Sequence, residues 1–211
     1  MKYGFIGCGN MGGALARALT KTTKDVIIAD PSPAAEAFAA ELGCGYGNNE
    51  QVADCNRIFL AVKPHIVEGV LTALRPQLAE KKPLLISMAA GVQVAQIRDW
   101  AGTDLPIIRI MPNTPVAVGE GMTLYAVTPD VTAAQLDGFV AMMAQSGKLC
   151  ALPEALIDSG CAVSGCGPAF VYMFADALAD GAVKCGLPRD KALLYAKQTI
   201  MGSGVMMLES K

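Results

Sequence analysis

The stretch that most constrains this chain is FIGCGNMGGAL, residues 5–15, which sets Gly7, Gly9 and Gly12 in GxGxxG spacing between a strand pattern and a helix pattern. Residues 2–6 form a short apolar run of strand type, while Met11, Ala14, Leu15, Ala18 and Leu19 recur at helical spacing on one face. A glycine turn in that position predicts a dinucleotide site. Gly7 permits the tight turn, Gly9 lets a pyrophosphate approach the backbone, and Gly12 lets the helix lie close on the sheet. The free N–H groups and positive end of the helix then favour phosphate. The spacing alone is also met by a flexible turn in a chain with 22 glycines, and its place between the right two elements decides for the nucleotide.

With 211 residues, 53% of them hydrophobic, the chain can bury a sizeable core and is expected to hold one nucleotide domain plus a smaller second unit. A formal net charge of −2 with scattered Lys and Arg argues against nucleic acid or an anionic membrane surface and points to a small-molecule partner. The glycine turn and Arg17 interrupt the apolar core that a signal peptide needs. Residues 155–186 are apolar but carry Asp158, Asp176 and Asp180, each costly at a bilayer centre, so no spanning segment is expected. Seven cysteines without a CxxC suit reduced thiols, and the expected setting is the cytoplasm. With His65 the single histidine, no metal site is expected.

After the first helix, residues 25–29 read as a second strand that ends on Asp30. A carboxylate there can accept hydrogen bonds from the adenosine ribose hydroxyls and favours NAD, and it repels a 2'-phosphate by on the order of a few kcal/mol. Against this, Ser32 in the DPSP turn offers a hydroxyl and an N–H to a 2'-phosphate if Asp30 points away, and Asp30 can equally begin a turn. NAD and NADP stay open on these residues alone. Residues 33–42 predict a helix stopped by Gly43, and Asn48 or Asn49 caps a short helix over 50–54. The strand at 57–62 delivers Lys63 and Pro64 at its carboxyl end, where ligands of open α/β sheets bind; a solvated surface lysine is the alternative.

A further apolar strand, 83–88, runs into Ala89, Ala90 and Gly91, small residues that let a ligand near the backbone. A helix over 91–101 and a strand over 105–111 lead to MPNTP, where Pro112 and Pro115 fix the backbone and Asn113 and Thr114 present polar groups. A strand at 121–127, a helix at 130–145 and a strand at 148–152 complete the alternation. It predicts a Rossmann-type doubly wound, mostly parallel sheet over residues 1–152. Residues 153–211 read as helix only, in segments 154–163, 168–185 and 189–208, broken at SGCGP. Met201, Val205, Met206 and Leu208 need somewhere to bury, which a partner subunit or further chain would supply.

Jointly, GFIGCGNMG (4–12), AVKPH (61–65), SMAAGV (87–92), MPNTP (111–115), SGCGPAF (164–170) and DALADGAVKCGLPR (176–189) resemble pyrroline-5-carboxylate reductase over nearly the whole chain. The resemblance implies reduction of 1-pyrroline-5-carboxylate to L-proline, the last step of proline biosynthesis, with NADPH favoured as cofactor and NADH possible. It implies an all-α dimerisation domain after the sheet and a homodimer or a larger ring of dimers. Position by position, Ile6, Gly7, Cys8, Gly9, Asn10, Met11 and Gly12 would form the pyrophosphate turn. Ser32 and Asn48 would attend the adenosine end, where Asp30 is a cofactor-binding candidate by its own position after the second strand. Ala61, Val62, Lys63 and Pro64, with Met88, Ala89 and Ala90, would line the ribose and nicotinamide, and Pro112 and Asn113 would lie near the hydride-transfer face.

Two departures accompany the resemblance. Asp30 stands where relatives more often carry an uncharged residue. The family's chain also continues past Lys211 into helices that complete an intertwined dimer and carry a Ser, Pro, Gly, Gly, Thr-type motif for the substrate carboxylate. The expectation is therefore either a fragment of a longer protein or a binding domain that does not turn over by itself.

A protonated imine is already an electrophile, so the expected chemistry needs alignment more than acid–base groups. Ser164 is a candidate to position or protonate the imine nitrogen, and a helix-breaking turn explains it equally. Two alternatives stand beside this reading. One is a hydroxyacid dehydrogenase of similar two-domain plan using Lys184 as acid; the other is a nucleotide-binding or assembly module without catalysis.

Overall fold

In the computed structural model, which describes residues 2–210, the first strand explains why the central strands are apolar at successive positions. On β1 (Tyr3–Ile6), Phe5 packs to one side of the sheet and Ile6 to the other. The same alternation holds on β2 (Val26–Ala29), β4 (Arg57–Leu60) and β5 (Leu84–Ser87), because helices cover both faces. Phe5 lies opposite Phe59 in register, their rings stacked at 4.4 Å.

The remaining strands are β3 (Gly45–Tyr46), β6 (Ile107–Met111), β7 (Gly121–Val127) and β8 (Gly147–Ala151). The eight-stranded sheet has the order β3-β2-β1-β4-β5-β6-β7-β8. Pairing is parallel from β3 to β6, β7 runs antiparallel to β6, and β8 is parallel to β7. The reversal has a simple cause. The residues between β6 and β7 form only a tight passage with a 3-10 turn at Thr114–Val118, too short for the crossover that a parallel neighbour requires.

One face of the sheet carries α1 (Asn10–Leu19), α2 (Ala34–Leu42) and α7 (Ala133–Met143). The other carries α3 (Asn49–Ala53), α4 (Pro64–Ala73), α5 (Arg75–Lys81) and α6 (Val94–Ala101). The reciprocal Thr132–Gln135 box opens α7 at Ala133, three residues later than the pattern predicts. Thr132→Ala should therefore cost about 1 kcal/mol, measurable by urea unfolding, with no change in ligand affinity.

Packing divides the chain into two compact units, residues 1–165 and 166–211. In the first, α8 (Glu154–Ser164) lies against β7, burying Ile157 with Met111, Leu124 and Ala126. Its acidic side chains are used there: Arg109 of β6, 1% exposed, donates to Asp158 Oδ1 at 2.7 Å and to Glu154 Oε1 at 3.4 Å. The second unit is a helix pair, α9 (Gly167–Lys184) and α10 (Arg189–Glu209), with Ala179, Ala192 and Ala196 buried in its own small core and an Arg189–Asp180 ion pair. Much of its apolar surface is uncovered, with Phe170 at 66% and Met207 at 74% exposure. By length and composition the run Glu154–Lys184 could cross a membrane, with a mean hydropathy of 1.3. Gly165 and Cys166 divide that run into α8 and α9.

Candidate dinucleotide-binding site

The strand order reverses between β1 and β4: the chain moves outward from β1 through β2 and β3 on one side, and through β4, β5 and β6 on the other. At such a switch point, loops leaving the carboxyl ends of the strands part and leave a crevice. Here a cleft of about 1040 Å³ opens there, walled by the loops after β1, β2, β3, β4 and β5.

Local hydrogen bonds fix these loops. Gly7 N–H donates to Ala29 O at 2.8 Å and Ala61 N–H to Ile6 O at 2.8 Å, so the ladder runs on past the strand ends. The three glycines of the turn have separate reasons. Gly7 adopts φ +94°, and a Cβ there would meet the Ala61 carbonyl oxygen at 2.7 Å. Gly12 is covered, since its Cβ would lie 2.7 Å from Ala61 Cβ and 2.8 Å from Gly7 O. Gly9 has no heavy atom within 4 Å of its added Cβ, and it faces open cleft. It is also the N-cap of α1, whose first turn has neither a side-chain cap nor an acidic residue. An uncapped helix start at an open glycine is suited to an anion.

Asp30 ties two loops together. Its Oδ2 accepts from Cys8 N–H at 2.6 Å and its Oδ1 from Ser32 N–H at 2.8 Å, while the carbonyl accepts from the Tyr46 hydroxyl at 3.1 Å. Asn48 caps α3 through a reciprocal box with Gln51, using Oδ1 and leaving its amide nitrogen for a ligand. Lys63 is the N-cap of α4, and it is the one basic residue among the described residues lining the cleft.

Burial first, then the Asp30 charge and Cys44, push the Cys8 thiol up to about 11, and burial chiefly does the same to Cys55. Iodoacetamide at neutral pH should accordingly modify exposed Cys166 and Cys185 before Cys8 and Cys55, as read by peptide mass spectrometry. A raised folded pKa stabilises fully below the ordinary value of 9.0 and is lost as pH rises through about 11, so stability should decline across that window.

Of the residues expected from sequence, Ile6, Gly7, Gly9, Asn10 and Met11 line the cleft from the first loop and Asp30 and Asn48 from the second and third. Ala61, Val62, Lys63, Pro64, Met88 and Ala90 line it from the fourth and fifth. Six others lie off the lining. Gly12 is sealed beneath Ala61, Ala89 is in the core, and Cys8 contributes its backbone N–H to Asp30. Ser32 is exposed, its hydroxyl oxygen accepting from Ala34 N–H at 3.4 Å.

Pro112 and Asn113 are buried at the far end of β6, where Asn113 accepts from Met122 N–H at 2.8 Å and donates to Ser164 O at 2.9 Å. The Ser164 hydroxyl donates back to Gly160 O at 3.1 Å, within its own helix. Lys184 is exposed in the last turn of α9. The sequence pattern did not mark Pro31, Tyr46, Gly47, Asn49, Glu50, Ile66 and Val70, which also line the cleft. The two-residue β3 is too short to register as a strand, and without it the loop it feeds has no visible anchor.

Residues 154–211 match the family model described as pyrroline-5-carboxylate reductase dimerisation, and residues 2–91 match one described as NADP oxidoreductase coenzyme F420-dependent. Pyrroline-5-carboxylate reductase from Escherichia coli K12 is 39% identical, with 99% of this chain and 80% of that protein covered. Pyrroline-5-carboxylate reductase 3 from Danio rerio is 37% identical, with 100% of this chain and 75% of that protein covered. The crystal structure of Plasmodium falciparum pyrroline carboxylate reductase with NADP bound superposes with a TM-score of 0.89 at 33% identity, covering 100% of this chain and 79% of that one.

Proposed function

The chain belongs to the pyrroline-5-carboxylate reductase family, and from that premise we propose that it catalyses NAD(P)H-dependent reduction of 1-pyrroline-5-carboxylate to L-proline, the last step of proline biosynthesis. The observation that carries the reading to this molecule is the cleft at the sheet's switch point, with Gly9 open and the α1 N-terminus uncapped. These residues fit a dinucleotide, with NADP(H) as the family's cofactor.

When bound, the reduced nicotinamide supplies the hydride. The chain's own residues bind and orient. The N–H groups at the start of α1 would hold the pyrophosphate, and Asp30 and Asn48 would attend the adenosine ribose. Ala61, Val62, Lys63 and Pro64, with Met88 and Ala90, would line the ribose and nicotinamide portion. By orienting the two reactants these residues would provide most of the acceleration, without a dedicated histidine. Asn113, by holding the end of α8 to the start of β7, keeps the MPNTP segment in place beside the sheet.

We assign residues 1–152 to dinucleotide binding and 153–211 to dimerisation, and infer a homodimer or a ring of dimers in the cytoplasm. The uncovered Phe170, Met173, Phe174, Met206 and Met207 support self-association. The test is the decay of reduced-nicotinamide absorbance with 1-pyrroline-5-carboxylate, with proline identified as product. Consumption of a hydroxyacid or its ketoacid with no reaction of the cyclic imine would overturn the proposal.

A further inference from the structure

We infer that this chain discriminates against the 2'-phosphate and works better with NADH than with NADPH, Asp30 and Glu50 being the residues that decide it. The inference rests on the dinucleotide-reductase reading above and refines its cofactor.

Asp30 and Glu50 both line the cleft, Asp30 from the loop that follows β2 and Glu50 from the first turn of α3, the helix after the adjacent strand β3. That is the side of the switch point on which the ribose of an adenosine is held. The Asp30 carboxylate is not free to swing away, since Cys8 N–H and Ser32 N–H grip its two oxygens at 2.6 and 2.8 Å. A carboxylate has about four acceptor sites and these bonds use two, leaving one lone pair on each oxygen for ribose hydroxyls. Hydroxyls can donate to it; a phosphate at the 2' position cannot, and adds like charge.

Among the described residues lining the cleft, no cation on that side offsets this. Lys63, the one basic residue among the described lining residues, follows β4 and so lies across β1 from the β2 and β3 loops. Ser32, the residue best suited by type to a 2'-phosphate, lies off the lining, and its N–H is committed to Asp30.

Equilibrium titration of the 211-residue chain with NADH and NADPH, followed by nicotinamide fluorescence, tests this without requiring turnover. NADH should bind roughly tenfold or more tightly than NADPH, and the ratio should narrow as salt screens the repulsion. Asp30→Asn should narrow the ratio by roughly tenfold and Glu50→Gln by less, chiefly through tighter NADPH binding. Glu50 makes no loop-fixing bond of the kind Asp30 makes, so E50Q and the salt series keep the test valid if D30N unfolds.

Equal or tighter binding of NADPH, or a ratio unmoved by salt and by both substitutions, would overturn the inference. Failure to bind either dinucleotide would overturn it together with the dinucleotide reading. Selective NADH binding without imine reduction would leave it standing while removing the proposed activity.

Discussion

Gly12→Val is expected to unfold or severely loosen the first unit and to abolish dinucleotide binding, whereas Gly9→Ala should leave stability within about 0.5 kcal/mol of the parent and still weaken binding by roughly tenfold or more. The two glycines sit three residues apart but face different surroundings. A Cβ on Gly12 meets Ala61 Cβ at 2.7 Å and the Gly7 carbonyl oxygen at 2.8 Å, and backbone cannot yield as a side-chain tip can. Overpacking of this kind costs about 1–3 kcal/mol for small additions and more for a branched side chain. It also pushes α1 from β1 and β4, moving the N–H groups that face the cleft. At Gly9 the added methyl meets nothing within 4 Å, and its backbone, at φ −66°, suits any residue. The methyl then occupies only the space that a phosphate would need. Urea unfolding and fluorescence titration on both variants separate the two effects; equal loss of stability would contradict this division of roles.

Arg109→Ala should destabilise the first unit by about 3 kcal/mol, and Arg109→Met by roughly 1 kcal/mol or less. Arg109 is 1% exposed in the middle of the sheet, yet its partners differ from it: the Glu154 side chain is 35% exposed and that of Asp158 62%. Removing the guanidinium therefore leaves carboxylates that water can reach, so the penalty for a stranded charge is discounted. What remains is the cavity left by a long buried stem. Methionine refills that volume, and it also removes the Arg109 Nε–H, a buried group with no hydrogen-bond partner. Chemical denaturation of the two variants decides the point. If R109M is as damaging as R109A, the ion pairs rather than the packed stem hold α8 to β6.

These two sites differ in how visible they are before folding. The glycine spacing, the apolar runs and the charged residues that follow them are local features, and the cleft lies where those runs end. Asp30 and Lys63 could be placed at strand ends because each directly follows an apolar run of the right length. Arg109 could not be read the same way. It sits inside IIRIM, a strand that looks continuous, and its partners lie 45 and 49 residues later on a helix that itself reads as amphipathic. Glu50 and Tyr46 were hidden for another reason: their importance depends on β3, a two-residue strand whose existence follows only from its pairing with β2.

The sequence by itself determined the alternation of strands and helices, the glycine turn after β1 and the break at SGCGP, because each depends on residues within a few positions of one another. It also carried the family, through six ordered motifs. Tertiary structure alone decided the strand order, which puts the β1 and β4 ends side by side and so creates the cleft. It decided that β7 runs backwards, that α8 packs with the sheet unit, and that Asp30 is gripped by Cys8 and Ser32 rather than swung outward. These are long-range pairings, and their free energy comes from surfaces that meet only after the chain has folded.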